Sequence, residues 1–138
     1  RLLAKEQKYL PPKKHGDLNI FGCLALELYQ VSKDKKYLEL GLSYADSQWK
    51  LPKDANTEQK EWERKGYSWQ TRLWIDDMFM ITILQSQAYR VTGDNKYIDR
   101  TAKEMVYYLD ELQRENGMFY HAPDVPYFWA RGNGWLQG

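Results

Sequence analysis

Apolar residues recur at helical spacing over four stretches of the chain. From Asp17 to about Lys33 they are Leu18, Phe21, Leu24, Ala25, Leu28 and Val31. From Tyr37 to about Trp49 they are Leu38, Leu42, Ala45 and Trp49. Trp74 to about Thr92 is apolar nearly all round, through Met78, Met80, Ile81, Ile83, Leu84 and Ala88. Tyr97 to about Leu112 is amphipathic through Ile98, Ala102, Met105, Val106, Leu109 and Leu112. A shorter segment, Leu2 to Leu10, reads as the tail of a further helix stopped by Pro11 and Pro12. The pattern predicts an all-α protein, with no sheet beyond short ribbons in loops.

Each pair of long helices is joined by a very short turn, Ser32-Lys33-Asp34 or Thr92-Gly93-Asp94, and so forms an antiparallel hairpin. The hairpins align without a gap. Tyr29, Val31, Asp34, Lys36 and Tyr37 recur as Tyr89, Val91, Asp94, Lys96 and Tyr97, and Ser32, Leu38 and Glu39 recur conservatively as Thr92, Ile98 and Asp99. This internal repeat places Asp17 opposite Asp77, each at the start of the first helix of its hairpin, and the next such start near Gln137. The expectation is a fragment: two hairpins and the threshold of a third, cut from a ring of helix pairs. The helix from Trp74 is apolar enough for an inner helix that two hairpins cannot cover. Such a fragment is expected to be inactive alone and to self-associate through its bare apolar faces.

Two long connections, about Lys50 to Leu73 and Gln113 to Trp135, each lead to the start of an inner helix. Connections of this length are uncommon in compact domains and tend to be functional. The first is highly charged from Lys53 to Lys65, which reads as a solvated excursion, and then turns aromatic at Tyr67, Trp69 and Trp74. The second holds Gly117-Met118-Phe119-Tyr120-His121 and then Trp129-Ala130-Arg131-Gly132-Asn133-Gly134-Trp135.

Composition narrows the functions. Lys plus Arg number 20 against 19 Asp plus Glu, so no net field draws in nucleic acid or an anionic membrane. Neither is expected as a partner. Cys23 is the single cysteine, which excludes an internal disulfide. No apolar run is long enough to span a bilayer. The chain begins at Arg1 with neither methionine nor a signal-like segment, and the expectation is that its true start has been removed. The compartment, cytoplasm or periplasm, stays open. There are 6 Trp and 11 Tyr, residues that pack cores and also stack on sugar rings.

A ring of hairpins gathers the loop ends and helix starts on one face. That face collects Asp17, Asp76, Asp77, His121, Trp129, Arg131 and Trp135, the parts of a carbohydrate-processing site. Each has a structural alternative. The aspartates sit where acidic residues cap helices or meet the positive end of the dipole. His121 and Arg131 could serve their own loop. The run from Trp129 to Trp135 is harder to explain structurally: two tryptophans, an arginine and two glycines suit a tight backbone around a ligand.

The strings Trp74-Ile75-Asp76-Asp77-Met78, Gly117-Met118-Phe119-Tyr120-His121 and Trp129-Ala130-Arg131-Gly132-Asn133-Gly134-Trp135, in this order, resemble glycoside hydrolase family 105. That family comprises unsaturated rhamnogalacturonyl hydrolases and is related to the unsaturated glucuronyl hydrolases of family 88. The resemblance covers most of the chain from Asp17 onward. It implies that residues 1–138 are part of one (α/α)6 barrel of six hairpins, agreeing with the repeat. It also implies removal of a terminal 4,5-unsaturated uronic acid, galacturonyl or glucuronyl, from oligosaccharides. By the resemblance, Asp76 is the catalytic aspartate and Asp17 a second one, while His121, Trp129, Arg131 and Trp135 line the sugar pocket with Trp74. A further family histidine has no counterpart in the charged loop, where Lys65 and Trp69 lie. Trp69 is taken as a substrate-binding residue.

The implied chemistry is hydration of a vinyl ether. Asp76 protonates C4, water adds at C5, and the hemiketal opens to release the leaving sugar. No step calls for a metal or an organic cofactor. Arg131 is expected to face the substrate carboxylate rather than Asp76, since a direct contact would oppose protonation of the acid. The alternatives are another carbohydrate-active helical barrel, a lyase or an epimerase, and a non-catalytic helical-repeat binding module. An epimerase would rely on histidine bases, and His15 and His121 are the only two. Binding modules display short, similar loops, unlike these.

Overall fold

The computed structural model describes residues 10–137. In chain order its elements are α1 (Gly16–Asn19), α2 (Phe21–Ser32), α3 (Lys35–Ser47), α4 (Thr57–Arg64), α5 (Ile75–Thr92) and α6 (Asn95–Leu112). A ribbon of β1 (Tyr120–Ala122) and β2 (Val125–Phe128), the short α7 (Ala130–Gly134) and a 3₁₀ turn, Trp135–Gln137, complete it. The chain is all-α apart from that antiparallel ribbon. The expected segment from Leu2 lies outside the described residues.

The four long helices appear where the apolar spacing puts them, and the repeat is visible in their joints. α2 and α5 end at Ser32 and Thr92, and α3 and α6 begin at Lys35 and Asn95. In both turns the residue after the helix is left-handed, Lys33 at φ 57° and Gly93 at φ 68°. Its N–H returns to Tyr29 or Tyr89 at 2.8 Å. Asp34 and Asp94 then cap the returning helix by accepting the N–H of Lys36 at 3.1 Å and of Lys96 at 3.0 Å. Glycine takes the left-handed turn freely, and lysine at the same place in the first hairpin costs about 1 kcal/mol.

Three expectations need correction. The first helix is not continuous from Asp17: it breaks at Ile20, where Asn19 turns inward and its amide donates to Ser47 Oγ at 3.1 Å. The charged stretch from Lys53 is not a mere solvated excursion. It contains α4, started by a reciprocal capping box between Asn56 and Gln59 and anchored through buried Trp62 against Tyr67 and Tyr107. On α6 the buried face is Tyr97, Thr101, Glu104, Tyr108 and Leu112, whereas Met105, Val106 and Leu109 of the predicted stripe are exposed. Aromatic rings and one carboxyl make most of the inner contact of that helix, and Leu112 is the one residue of the predicted stripe among them.

Two clusters form the core. Leu26, Tyr44, Ala45, Leu84, Ala88 and Tyr97 lock the hairpins together, helped by Gln85, whose amide donates to Ala45 O and Gln48 Oε1 at 2.8 Å each. Trp62, Leu73, Ile75, Met78, Tyr108, Leu112 and Phe119 fill the space beneath the start of α5. Cys23 is half-buried on α2, and burial first, then Glu27, pushes its thiol up to about 12.

The connection into α5 is held from below by Glu104, 0% exposed on α6. It accepts the N–H of Ser68 and, at 3.2 Å to each oxygen, the hydroxyl of Thr71. Ser68 in turn donates its hydroxyl to Gln48 O at 2.8 Å. Burial raises the Glu104 carboxyl from 4.5 to about 7, against the opposing pull of those two bonds. The folded state therefore holds this proton more tightly than the unfolded chain does. The resulting stability is present below about 4.5 and is lost as pH rises through about 7. Chemical denaturation on either side of this window should show stability falling with pH in the wild type, and Glu104→Gln should flatten that slope.

Candidate active site

The start of α5 is built to present one carboxylate and hide the next. Leu73, buried at the turn into the helix, sits at φ 57°, a conformation that costs a non-glycine residue about 1–2 kcal/mol. Trp74 follows as the N-cap in extended conformation and stays half-exposed. Asp76 and Asp77 both fall in the first turn, at the positive end of the helix dipole, and successive side chains point about 100° apart. Asp77 turns toward Arg72, whose Nε donates to Oδ2 at 2.9 Å while Nη2 donates to Oδ1. Burial pushes the Asp77 carboxyl up, and this fork opposes it. Asp76 turns instead to the cavity.

The two oxygens of Asp76 have different surroundings. Oδ1 accepts from Arg131 Nε at 3.0 Å and from Trp135 Nε1 at 3.2 Å. Oδ2 is buried without a hydrogen-bond partner among the described residues, 3.7 Å from His121 Nδ1. That imidazole is packed between Trp74 and Trp129, with ring centroids 5.3 and 4.7 Å away. The guanidinium of Arg131 lies over Trp129 at 4.1 Å, and that of Arg72 over Trp74 at 4.6 Å. Arg131 thus contacts Asp76 directly, contrary to expectation. Only its Nε is engaged there, which leaves the terminal amino groups of a half-exposed side chain.

The string from Trp129 to Trp135 now has a residue-by-residue reason. α7 sits on the first turn of α5, and a Cβ at Gly132 would lie 2.2 Å from Ile75 Cγ2. Only glycine permits that approach. Asn133 ties α7 to the ribbon: its amide accepts Phe119 N–H at 2.8 Å and donates to Phe119 O at 3.0 Å and Trp129 O at 3.1 Å. Arg131 and Trp135, one helical turn apart, then grip the same oxygen. Trp135 is held for this by stacking on Phe79, with centroids 4.5 Å apart.

A cavity of about 380 Å³ opens over this arrangement, lined by His15, Asp17, Arg72, Trp74, Asp76, Met80, His121, Trp129 and Arg131. It brings together six of the eight residues expected in the site. Trp135 lies behind Asp76 rather than on the wall. Trp69 is buried, its indole N–H donating to Ser47 O at 2.7 Å, and it lines neighbouring cavities instead. Asp17 is exposed and does not cap its helix. His15 does, its Nδ1 accepting Asp17 N–H at 3.2 Å. An accepting Nδ1 carries no proton, so the 3.4 Å approach of Asp17 Oδ2 to it is not an ion pair. His15, Arg72 and Met80 were missed as wall residues; Arg72, just before two aspartates, was the findable one. Among the described residues no group of three or more His, Cys, Asp or Glu side chains could hold a metal.

Fold and cavity define an all-helical protein whose site is one half-clamped carboxylate walled by aromatic rings and guanidinium groups. The model of Glycosyl Hydrolase Family 88 matches residues 2–138, and the chain belongs to that family. A curated relative, the unsaturated 3S-rhamnoglycuronyl hydrolase of Alteromonas sp. (strain LOR), is 34% identical over 73 residues, 46% of this chain and 18% of the relative. A solved polysaccharide lyase superposes with a TM-score of 0.63 at 19% identity, over 88% of this chain and 33% of its own, and shares the fold. The chain thus spans about a fifth to a third of the length of these proteins.

If Gly132 is what seats α7, Gly132→Ala in the whole protein should push Arg131 and Trp135 off Asp76. Loss of about two orders of magnitude in kcat/KM is expected from a displacement near 1 Å. Circular dichroism should stay helical, and the comparison of the two measurements checks the prediction.

Proposed function

We propose that this chain carries the acid/base carboxylate of a hydrolase that removes a terminal 4,5-unsaturated uronic acid from an oligosaccharide. The single observation behind the reading is the asymmetry of Asp76. One oxygen is clamped by two N–H donors, and the other is buried without a partner among the described residues, beside His121, in a residue that lines the cavity. A group that gives a proton to carbon and takes one from water needs one oxygen free for the exchange and the other held, so that the exchange happens at a fixed place.

In this reading Asp76 Oδ2 delivers a proton to C4 of the vinyl ether. The developing positive charge at C5 is met by water, whose proton returns to Asp76. The hemiketal then opens at its ring C5–O5 bond to a ketone, the hemiacetal left at C1 collapses to an aldehyde and releases the leaving sugar as its alcohol, and the net change is addition of one water. The terminal amino groups of Arg131 and the ring of Trp129 receive the uronic carboxylate and its sugar face. Asp17 accepts hydroxyls from the open side, and Trp74 and His121 close the wall. The three strings that resemble family 105 favour a rhamnogalacturonyl-type substrate. The curated relative is named an unsaturated 3S-rhamnoglycuronyl hydrolase, which supports an unsaturated uronyl substrate.

Asp76→Asn in the whole protein should abolish turnover, lowering kcat by at least about 10²–10⁴, while unsaturated disaccharide still binds. Loss of the ultraviolet absorbance of the conjugated uronide follows the reaction. A lyase would raise that absorbance instead, so the direction of change separates the two chemistries. Full activity in Asp76→Asn with a dead Asp77→Asn would move the acid one residue along.

A further inference from the structure

The cavity over Asp76 shares His15 and Arg72 with a smaller one of about 130 Å³, whose walls also include Lys14, Glu58, Gln70, Thr71 and the edge of Trp69. Lys14, Gln59 and Trp69 continue from there into a third cavity of about 160 Å³. The shared walls make one groove leading away from the reactive carboxylate.

Gln70 is the unusual residue of this groove. Its side chain is 94% buried, and neither its amide nitrogen nor its amide oxygen has a hydrogen-bond partner among the described residues. Buried amides are normally bonded, so an unmet one at a cavity wall asks for an external partner. The surrounding loop is not loose. Gln70 N–H donates to Ser68 Oγ at 3.1 Å, and Ser68 and Thr71 are both held by Glu104. The backbone that carries the carboxamide is thus fixed, and its unpartnered amide has two donors and an acceptor, the complement of neighbouring sugar hydroxyls. Beside it Lys14 has no ion-pair partner among the described residues, and Arg72 uses only Nε and Nη2 on Asp77. Glu58 is the carboxylate on the wall of this cavity, and Asp54 faces Lys13 and Lys14 in the third.

We propose that this second cavity is the subsite for the sugar next to the terminal uronic acid, with Gln70 binding its hydroxyls and Lys14 selecting an anionic substituent on it. The proposal rests on the reading of Asp76 given above. It makes Gln70 and Lys14 specificity residues for the leaving sugar, outside the chemistry itself.

The test uses the whole protein and two kinds of substrate: an unsaturated uronide with a small aryl leaving group, and disaccharides whose second sugar is neutral, carboxylated or sulfated. Gln70→Ala should raise KM for the disaccharides about tenfold, a loss near 1.4 kcal/mol, and raise it far less for the aryl glycoside. Lys14→Ala, a change at an exposed side chain that leaves the core untouched, should erase the preference for an anionic disaccharide over the neutral one. Comparing carboxylated with sulfated substrate shows which anion the lysine meets. Calorimetry of disaccharide binding to Asp76→Asn, with and without Gln70→Ala, repeats the question without turnover. Equal effects of Gln70→Ala on both substrate kinds, or none, overturn the subsite while leaving the hydrolase reading intact. A wild type that turns over nothing, yet loses disaccharide affinity about tenfold on Gln70→Ala, overturns the hydrolase reading and supports the subsite.

Discussion

Everything at the site depends on one carboxylate oxygen. Asp76 Oδ1 joins the first turn of α5 to α7, more than fifty residues later, through Arg131 and Trp135. Beside that pair of bonds the two segments meet through the packing of Gly132 on Ile75 and the stacking of Trp135 on Phe79. The arrangement is economical in charge. Arg131 holds Asp76 with one nitrogen and keeps the rest of its guanidinium over Trp129, where a ring face and a cation together suit an acidic sugar.

The adjacent aspartates divide the work by helix geometry alone. A turn of about 100° separates a carboxylate that faces the cavity from one buried in a fork with Arg72. Asp77 does not reach the cavity, yet it fixes Arg72, and Arg72 over Trp74 forms part of the wall. A buried ion pair contributes little net stability as a rule, because desolvation offsets the attraction. Its use here is positional.

How much of this could be read beforehand depended on how local each determinant was. Helix spans and hairpin turns follow from spacing and from Asp34 and Asp94, which act within a few residues. The strings around Asp76 and Trp129 marked most of the cavity wall for the same reason. What escaped was tertiary. No periodicity says that α6 buries Glu104 and turns Met105 outward, because that choice is made by the loop at Ser68. The contact of Arg131 with Asp76 escaped because it follows from where Gly132 lands on Ile75. Helix α4 should have been seen, since Asn56 and Gln59 are a capping box in plain view.

The two hairpins also meet in a directional way. Asp46 and Ala45 at the end of α3, with Trp49 just after it, form the surface to which the second hairpin attaches, through Gln85 and through Arg100, which lies over the ring face of Trp49. Sixty positions later the same surface returns on α6 as Val106, Met105 and Leu109, and all three are exposed. The relation between the hairpins is therefore directional: the second covers this surface of the first, while its own equivalent surface is exposed among the described residues. The angle between these two hairpins is thus the property of a single joint, set where Gln85 reaches Ala45 and Gln48, and a shorter side chain at that position would release it.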